Sequence, residues 1–327
     1  MKPAVLTPPG VRADGGFVAE PVTTIDPPEA HPSAGVGEEV PGRFADFCEL
    51  IKARLTSLVM VTTLAGFYMG WSGSMNWGRL FAALFGTWLV ASGSAALNEL
   101  LERRTDAMMP RTRNRPLPAG RLSPDAALLI GFALVVAGLA CLYLLVNLLA
   151  ATLAAATMAT YLFAYTPLKR RTTLNTLVGA IPGALPPMIG WAAARGTVDS
   201  GAWALFAILF CWQMPHFLAI AWLYREDYAR AGFIMLPNLD ETGEVTGRQA
   251  ANYSFALLLV SLLPGVLGMA GRGYFLGAFV LGVGMIVFAL RMQLAPSRRY
   301  ARQLFFASII YLPLLLALLA FGKIVPA

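Results

Sequence analysis

Residues 126–165 read AALLIGFALVVAGLACLYLLVNLLAATLAAATMATYLFAY. The run holds no Asp, Glu, Lys or Arg, and only Asn147 divides it into two apolar halves. About twenty apolar residues at ~1.5 Å each cross the ~30 Å hydrocarbon core of a bilayer. The stretch therefore predicts two membrane-crossing helices, Ala126–Val146 and Leu148–Tyr165, joined by a tight turn. To either side the same signal recurs at Leu55–Trp71, Leu80–Leu101, Leu174–Ala194, Gly201–Leu223, Ala251–Ala270, Tyr274–Leu294 and Leu304–Gly322. Composition agrees, with 57% hydrophobic and 13% charged residues against roughly 25% charged in a soluble domain. A water-soluble globular protein is excluded. The expectation is an all-α polytopic membrane protein with nine transmembrane helices.

Residues 1–45 are rich in proline, glycine and acids and lack apolar periodicity, which predicts a disordered acidic tail ahead of a membrane domain at 46–327. This segment has neither the apolar core of a secretory signal nor the Arg-rich, acid-poor pattern of a mitochondrial transit peptide, so a bacterial inner membrane is the expected location. Met1–Glu49 holds eight acids against three basic residues, so the chain's net +7 concentrates as +12 in the membrane portion. With the N-terminus inside, 21 Lys/Arg fall on the cytoplasmic side and only Arg79, Arg195, Arg272 and Lys323 outside. The positive-inside rule then gives N-in, C-out. The basic excess belongs to the membrane face, and no nucleic-acid partner is implied. The long connections, 103–125 and 225–250, both fall inside, which places function at the cytoplasmic face. Three scattered cysteines and two histidines exclude a disulfide framework, a zinc site and a His-rich metal site.

The second span ends Asn98-Glu99-Leu100-Leu101-Glu102-Arg103-Arg104-Thr105-Asp106. Helix residues four apart nearly superpose in direction, so Asn98, Glu102 and Asp106 form one polar stripe. An amide and two carboxylates at the mouth of an apolar bundle are costly unless paired or bound to a cation, and Mg²⁺ favours one or two carboxylates plus substrate phosphates. The plainer alternative is ion pairing with Arg103, Arg104 or Arg111 on a wet helix end. Next come Arg111, Arg113, Asn114 and Arg115, then Lys169-Arg170-Arg171 after the fourth span. Guanidinium groups grip phosphate bidentately, although such clusters also set topology and contact anionic lipid. Carboxylates facing arginines across a membrane cavity describe a site for a prenyl diphosphate bridged through Mg²⁺. Glu226 and Asp227 offer further ligands beyond the sixth span. His216 follows Pro215 within that span and is either a packing residue or an iron ligand or proton carrier.

These residues resemble the UbiA-type intramembrane prenyltransferases. Within that family, Arg111–Pro118 (RTRNRPLP), Asn175–Ala184 (NTLVGAIPGA), Trp212–His216 (WQMPH) and Asp227-Tyr228 with Met235–Pro237 are similar to the protoheme IX farnesyltransferases, or heme O synthases. The likeness covers about residues 48–323. It implies a UbiA-like bundle that transfers farnesyl from farnesyl diphosphate to the 2-vinyl group of protoheme IX, supplying heme O for terminal oxidases. Asn98, Glu102 and Asp106 match the first family motif, N-x-x-x-D-x-x-x-D, with Glu102 where Asp is commoner. The second, D-x-x-x-D, reads Tyr224–Tyr228 with Asp227 inside it, and the usual Lys-Pro-Arg reads Lys52-Ala53-Arg54. The resemblance implies Mg²⁺ on Asn98, Glu102, Asp106 and Asp227. It implies substrate contacts from Arg111, Arg113, Asn114, Arg115, Tyr165, Lys169, Arg170, Asn175, Gln213, His216, Glu226 and Tyr228. Expected partners are farnesyl diphosphate, protoheme IX, membrane lipid, and heme A synthase or oxidase assembly factors. A prenyltransferase for a quinone precursor or chlorophyll-type acceptor is the neighbouring alternative. A secondary transporter would instead show inverted repeats and midplane polar groups.

Overall fold

The computed structural model describes residues 42–324. The acidic segment read from the sequence thus lies, up to residue 41, outside the described residues, and Arg43 already begins a helix. The elements are α1 (Arg43–Leu50), α2 (Ala53–Gly70), α3 (Trp77–Asp106), α4 (Pro124–Leu145), α5 (Leu148–Ala159), α6 (Thr166–Leu168), α7 (Asn175–Ala184), α8 (Pro186–Arg195), α9 (Ser200–Leu223), α10 (Arg225–Arg230), α11 (Leu236–Leu239), α12 (Glu244–Val266), α13 (Arg272–Leu294) and α14 (Arg298–Phe321). A π-helical turn, Thr160–Tyr165, links α5 to α6. Among the described residues eight helical segments are long and apolar enough to cross a membrane, and the count reaches nine when the α1–α2 pair, bent by 49°, is taken as one span. The nine-span expectation is met.

Local sequence explains the breaks. Asn147 turns the chain between α4 and α5: its Oδ1 accepts from the Ala150 amide (2.8 Å), and its Nδ2 donates to the Ala192 carbonyl (2.8 Å). The turn is thereby pinned to α8. Pro186 and Pro187 supply no amide donor, and the span Asn175–Arg195 accordingly divides at Leu185 into α7 and α8. The Ile51-Lys52 joint parts α1 from α2. Lys52, at φ +49°, is the one non-glycine with positive φ among the described residues.

Glycines let the antiparallel α3 and α4 approach backbone to backbone. A Cβ on Gly93 would stand 2.5 Å from the Gly131 carbonyl oxygen, and one on Gly138 would stand 2.7 Å from that of Gly86. Bundles in lipid gain little from hydrophobic exclusion between helices, so such close packing is a main source of association. At 30 residues, α3 is about 45 Å long and outruns the ~30 Å hydrocarbon core. Its surplus turns carry the Asn98–Asp106 stripe. Chain alternation puts the α1–α2 joint, the end of α3, the 107–123 connection, the end of α6, the α9–α12 connection and the start of α14 at one end of the bundle. All the long connections therefore gather there, leaving short turns at the other.

Candidate active site

That end holds a cavity of about 360 Å³ whose wall includes Asn98, Glu102 and Asp106. The three are almost fully buried, at 1%, 7% and 2% exposure, so the helical register aligns them as the sequence spacing requires. Each has a partner from another element. Lys52 Nζ donates to Asn98 Oδ1 (2.8 Å), as does the Tyr161 hydroxyl (2.9 Å), while Asn98 Nδ2 donates to Thr166 Oγ1 (3.0 Å). Lys169 Nζ donates to both oxygens of Glu102, at 2.7 and 3.0 Å. Arg115 Nη1 donates to Asp106 Oδ2 at 2.7 Å.

These partners replace the local ion pairs considered for a wet helix end. Arg103 turns back to the Leu100 carbonyl, and Arg111 lies 5.2 Å over the Tyr224 ring and 6.0 Å from that of Tyr228. Burial works against the charge of Arg115, but the field of Asp106 and its hydrogen bond prevail and hold the guanidinium above its ordinary value. Glu99, fully buried on the next face of α3, accepts weakly from the Leu117 amide at 3.4 Å. Arg121 grips Asp46 of α1, with Nε to Oδ1 at 2.9 Å. The connection carrying the arginines is therefore fastened to both α3 and α1.

The π turn is the element the apolar pattern did not show. One extra residue per turn is a common device at functional sites. Here it brings Tyr161 and Tyr165 to the same wall and sets Lys169 Nζ 4.5 Å over the Tyr165 ring. Gly179 and Gly183 also line the cavity, and a Cβ there would collide with Tyr165 and with Gln213 respectively. Gln213 is held by donation from Nε2 to the carbonyls of Ala180 and Leu209, each at 3.1 Å.

Of the residues singled out from the sequence, Asn98, Glu102, Asp106, Arg111, Arg115, Tyr165, Lys169, Gln213 and Tyr228 line this cavity. Others stand apart from it. Arg113, Asn114, Arg170 and Glu226 are exposed, and Asp227 is paired with Arg230. Asn175 ties the start of α7 to the Ile234 carbonyl (2.8 Å). His216 sits between α9 and α14, with Nδ1 2.8 Å from Ser308 Oγ and its ring stacked on Trp212 and Phe305. Two wall residues that donate to Asn98 were not among the expected contacts: Lys52, noted only within the altered Lys-Pro-Arg motif, and Tyr161. A lysine directly before an apolar span, and a tyrosine four residues before Tyr165, were the available signals.

Among the described residues no three His, Cys, Asp or Glu converge on a metal position. The stripe still fits Mg²⁺: two carboxylates and an amide oxygen facing an open cavity are the hard, incomplete set that substrate phosphates finish. Beyond the charged mouth the wall turns apolar, through Val59, Val90, Ala154, Met158 and Ile189. A charged diphosphate end and an apolar chain would thus each meet matching surface.

Comparison with known proteins agrees with this geometry. The chain belongs to the UbiA prenyltransferase family, whose model matches residues 59–310. More narrowly, it is similar along nearly their full length to proteins named protoheme IX farnesyltransferase. One, from Solibacter usitatus, is 48% identical over 85% of this chain and 98% of its own; another, from Koribacter versatilis, is 44% identical over 92% and 99%. A solved digeranylgeranylglyceryl phosphate synthase shares the fold at TM-score 0.73 and 16% identity, over 85% of this chain and 98% of its own. A UbiA homologue from Archaeoglobus fulgidus, bound to GPP and Mg²⁺, does so at 0.60 and 15%, over 84% and 99%.

Proposed function

We propose that this chain transfers the farnesyl group of farnesyl diphosphate to the 2-vinyl group of protoheme IX, giving heme O for terminal oxidase assembly. The observation that carries the reading is the cavity itself, in which the Asn98–Glu102–Asp106 stripe faces Lys52, Arg115 and Lys169 above an apolar wall. Its relatives' shared name supplies the acceptor. The catalytic domain begins with α1 at Arg43. The charge distribution argues for an active site facing the cytoplasm at a bacterial inner membrane.

Asn98, Glu102 and Asp106 would hold Mg²⁺. When bound, the metal neutralises charge on the diphosphate as the allylic C–O bond breaks. Arg115, Lys169 and Lys52, with Arg111 at the rim, take up the remaining negative charge, and no protein nucleophile is required. The apolar wall keeps water from the allylic cation until the vinyl carbon attacks it. That attack moves the positive charge to the carbon beside the porphyrin. Water then adds there and releases one proton, leaving the hydroxyethylfarnesyl side chain and free diphosphate. Asp227 is paired with Arg230 away from the stripe, and His216 packs α9 against α14.

The test is direct. Purified protein with hemin, farnesyl diphosphate and Mg²⁺ should yield a farnesylated, hydrated heme by mass spectrometry, lost with EDTA and restored by Mg²⁺. Prenylation of a quinone precursor with hemin untouched would overturn the acceptor assignment.

A further inference from the structure

Away from the active-site cavity, two concavities meet on the outer face of α13 and α14. One is an apolar groove of about 410 Å³ between the helices, lined by residues including Val280, Gly284, Phe288, Phe306 and Ile310. The other, about 490 Å³, is bounded by Arg298, Arg299 and Arg302 at the start of α14. They share Gln303 and Phe306, so the arginine cup opens into the groove.

Charge tells what such a shape accepts. The three arginines are exposed and take part in no ion pair among the described residues. No Asp or Glu follows Glu244 in the whole chain, so α13 and α14 carry no acid to offset them. A Cβ on Gly284 would have nothing within 4 Å, so the groove is open at its wall. Arginines that merely set topology need a count of charges; they do not need a cup continuous with an apolar channel.

We propose that this face binds one anionic glycerophospholipid, its phosphate among Arg298, Arg299 and Arg302 and one acyl chain along the α13–α14 groove. Guanidinium groups match phosphate oxygens in geometry as well as charge, and the start of α14 is where a helix enters the headgroup layer. The site lies at the same end of the bundle as the active-site cavity but shares no wall residue with it.

The test reconstitutes the full chain in vesicles of phosphatidylcholine with and without phosphatidylglycerol, then counts retained lipids by native mass spectrometry. One phosphatidylglycerol per chain should be retained in preference to phosphatidylcholine. R298Q/R299Q/R302Q should cut that preference on the order of tenfold or more. G284L, which fills the groove without changing charge, should cut it similarly, and R54Q/R103Q/R104Q should leave it intact. An equal loss in that control triple would reduce the effect to general interface charge. Unchanged retention in a folded G284L would remove the acyl-chain groove, and displacement of the lipid by farnesyl diphosphate would give the site to substrate; each of these results overturns the proposal. R298Q/R299Q/R302Q alters exposed residues only, so the test stands even where G284L fails to fold.

Discussion

Lys52 concentrates several demands in one residue. A left-handed backbone costs an ordinary side chain about 1–2 kcal/mol, yet at φ +49° Lys52 turns the chain between α1 and α2 and sends its ammonium to Asn98. Strain held at a site of this kind is a feature that function retains. Lys52→Gly should therefore leave the melting temperature unchanged or higher while farnesyl diphosphate use falls on the order of tenfold. A lower melting temperature with an unaltered Michaelis constant would make Lys52 a purely structural joint. Arg115 separates charge from geometry in another way. Arg115→Lys preserves the charge that topology counts and removes the planar fork. Expected are a Michaelis constant for farnesyl diphosphate raised on the order of tenfold and an unchanged topology in cysteine-labelling assays. The Asn98–Glu102–Asp106 stripe was legible because a four-residue repeat on a helix is a statement about direction. Lys169 as the partner of Glu102 was not, since 67 residues separate them.

At the scale of elements, the π turn at Thr160–Tyr165 positions both tyrosines and Lys169. Deleting Ala164 removes the extra residue, restores an α-helical register and rotates Lys169 by about 100° relative to α5. Turnover should be lost while the circular-dichroism helix signal and membrane insertion persist; retained turnover would show that the π turn is dispensable. Apolar composition signalled a span here but could not reveal the turn, because one more residue in an apolar run changes no periodicity strongly enough to see. The α9–α14 contact gives His216 a packing role. With Ser308 as its partner and Trp212 and Phe305 against its ring, His216→Ala should lower stability by roughly 1–3 kcal/mol and leave farnesyl diphosphate affinity within about twofold. The check is thermal unfolding beside a binding titration. A shifted Soret band of added heme with normal stability would restore the iron-ligand role.

The molecule as a whole is held by close helix packing, and the α3–α4 pair is the clearest case because the stripe rides on α3. Gly138→Val would drive a branched side chain into the Gly86 carbonyl, to which even a Cβ would come within 2.7 Å. That overpacking should cost about 1–3 kcal/mol and displace Asn98 from Lys52, so thermal stability and turnover should fall together; loss of neither would mean that the helices slide freely. How much of this was in the sequence depended on the range of the interaction. Span number, the polar stripe on α3 and the clustering of basic residues at one face follow from local hydropathy, helical periodicity and charge counting, which need no knowledge of neighbours. Tertiary structure decided which cation meets which carboxylate, that Lys52 and Tyr161 reach Asn98, and that α10 turns Tyr228 but not Glu226 toward the cavity. It also decided that His216 Nδ1 meets Ser308 across the α9–α14 interface. Those outcomes rest on contacts between residues far apart in the chain. They are set by packing geometry between helices, which a one-dimensional pattern of apolar and polar residues does not encode.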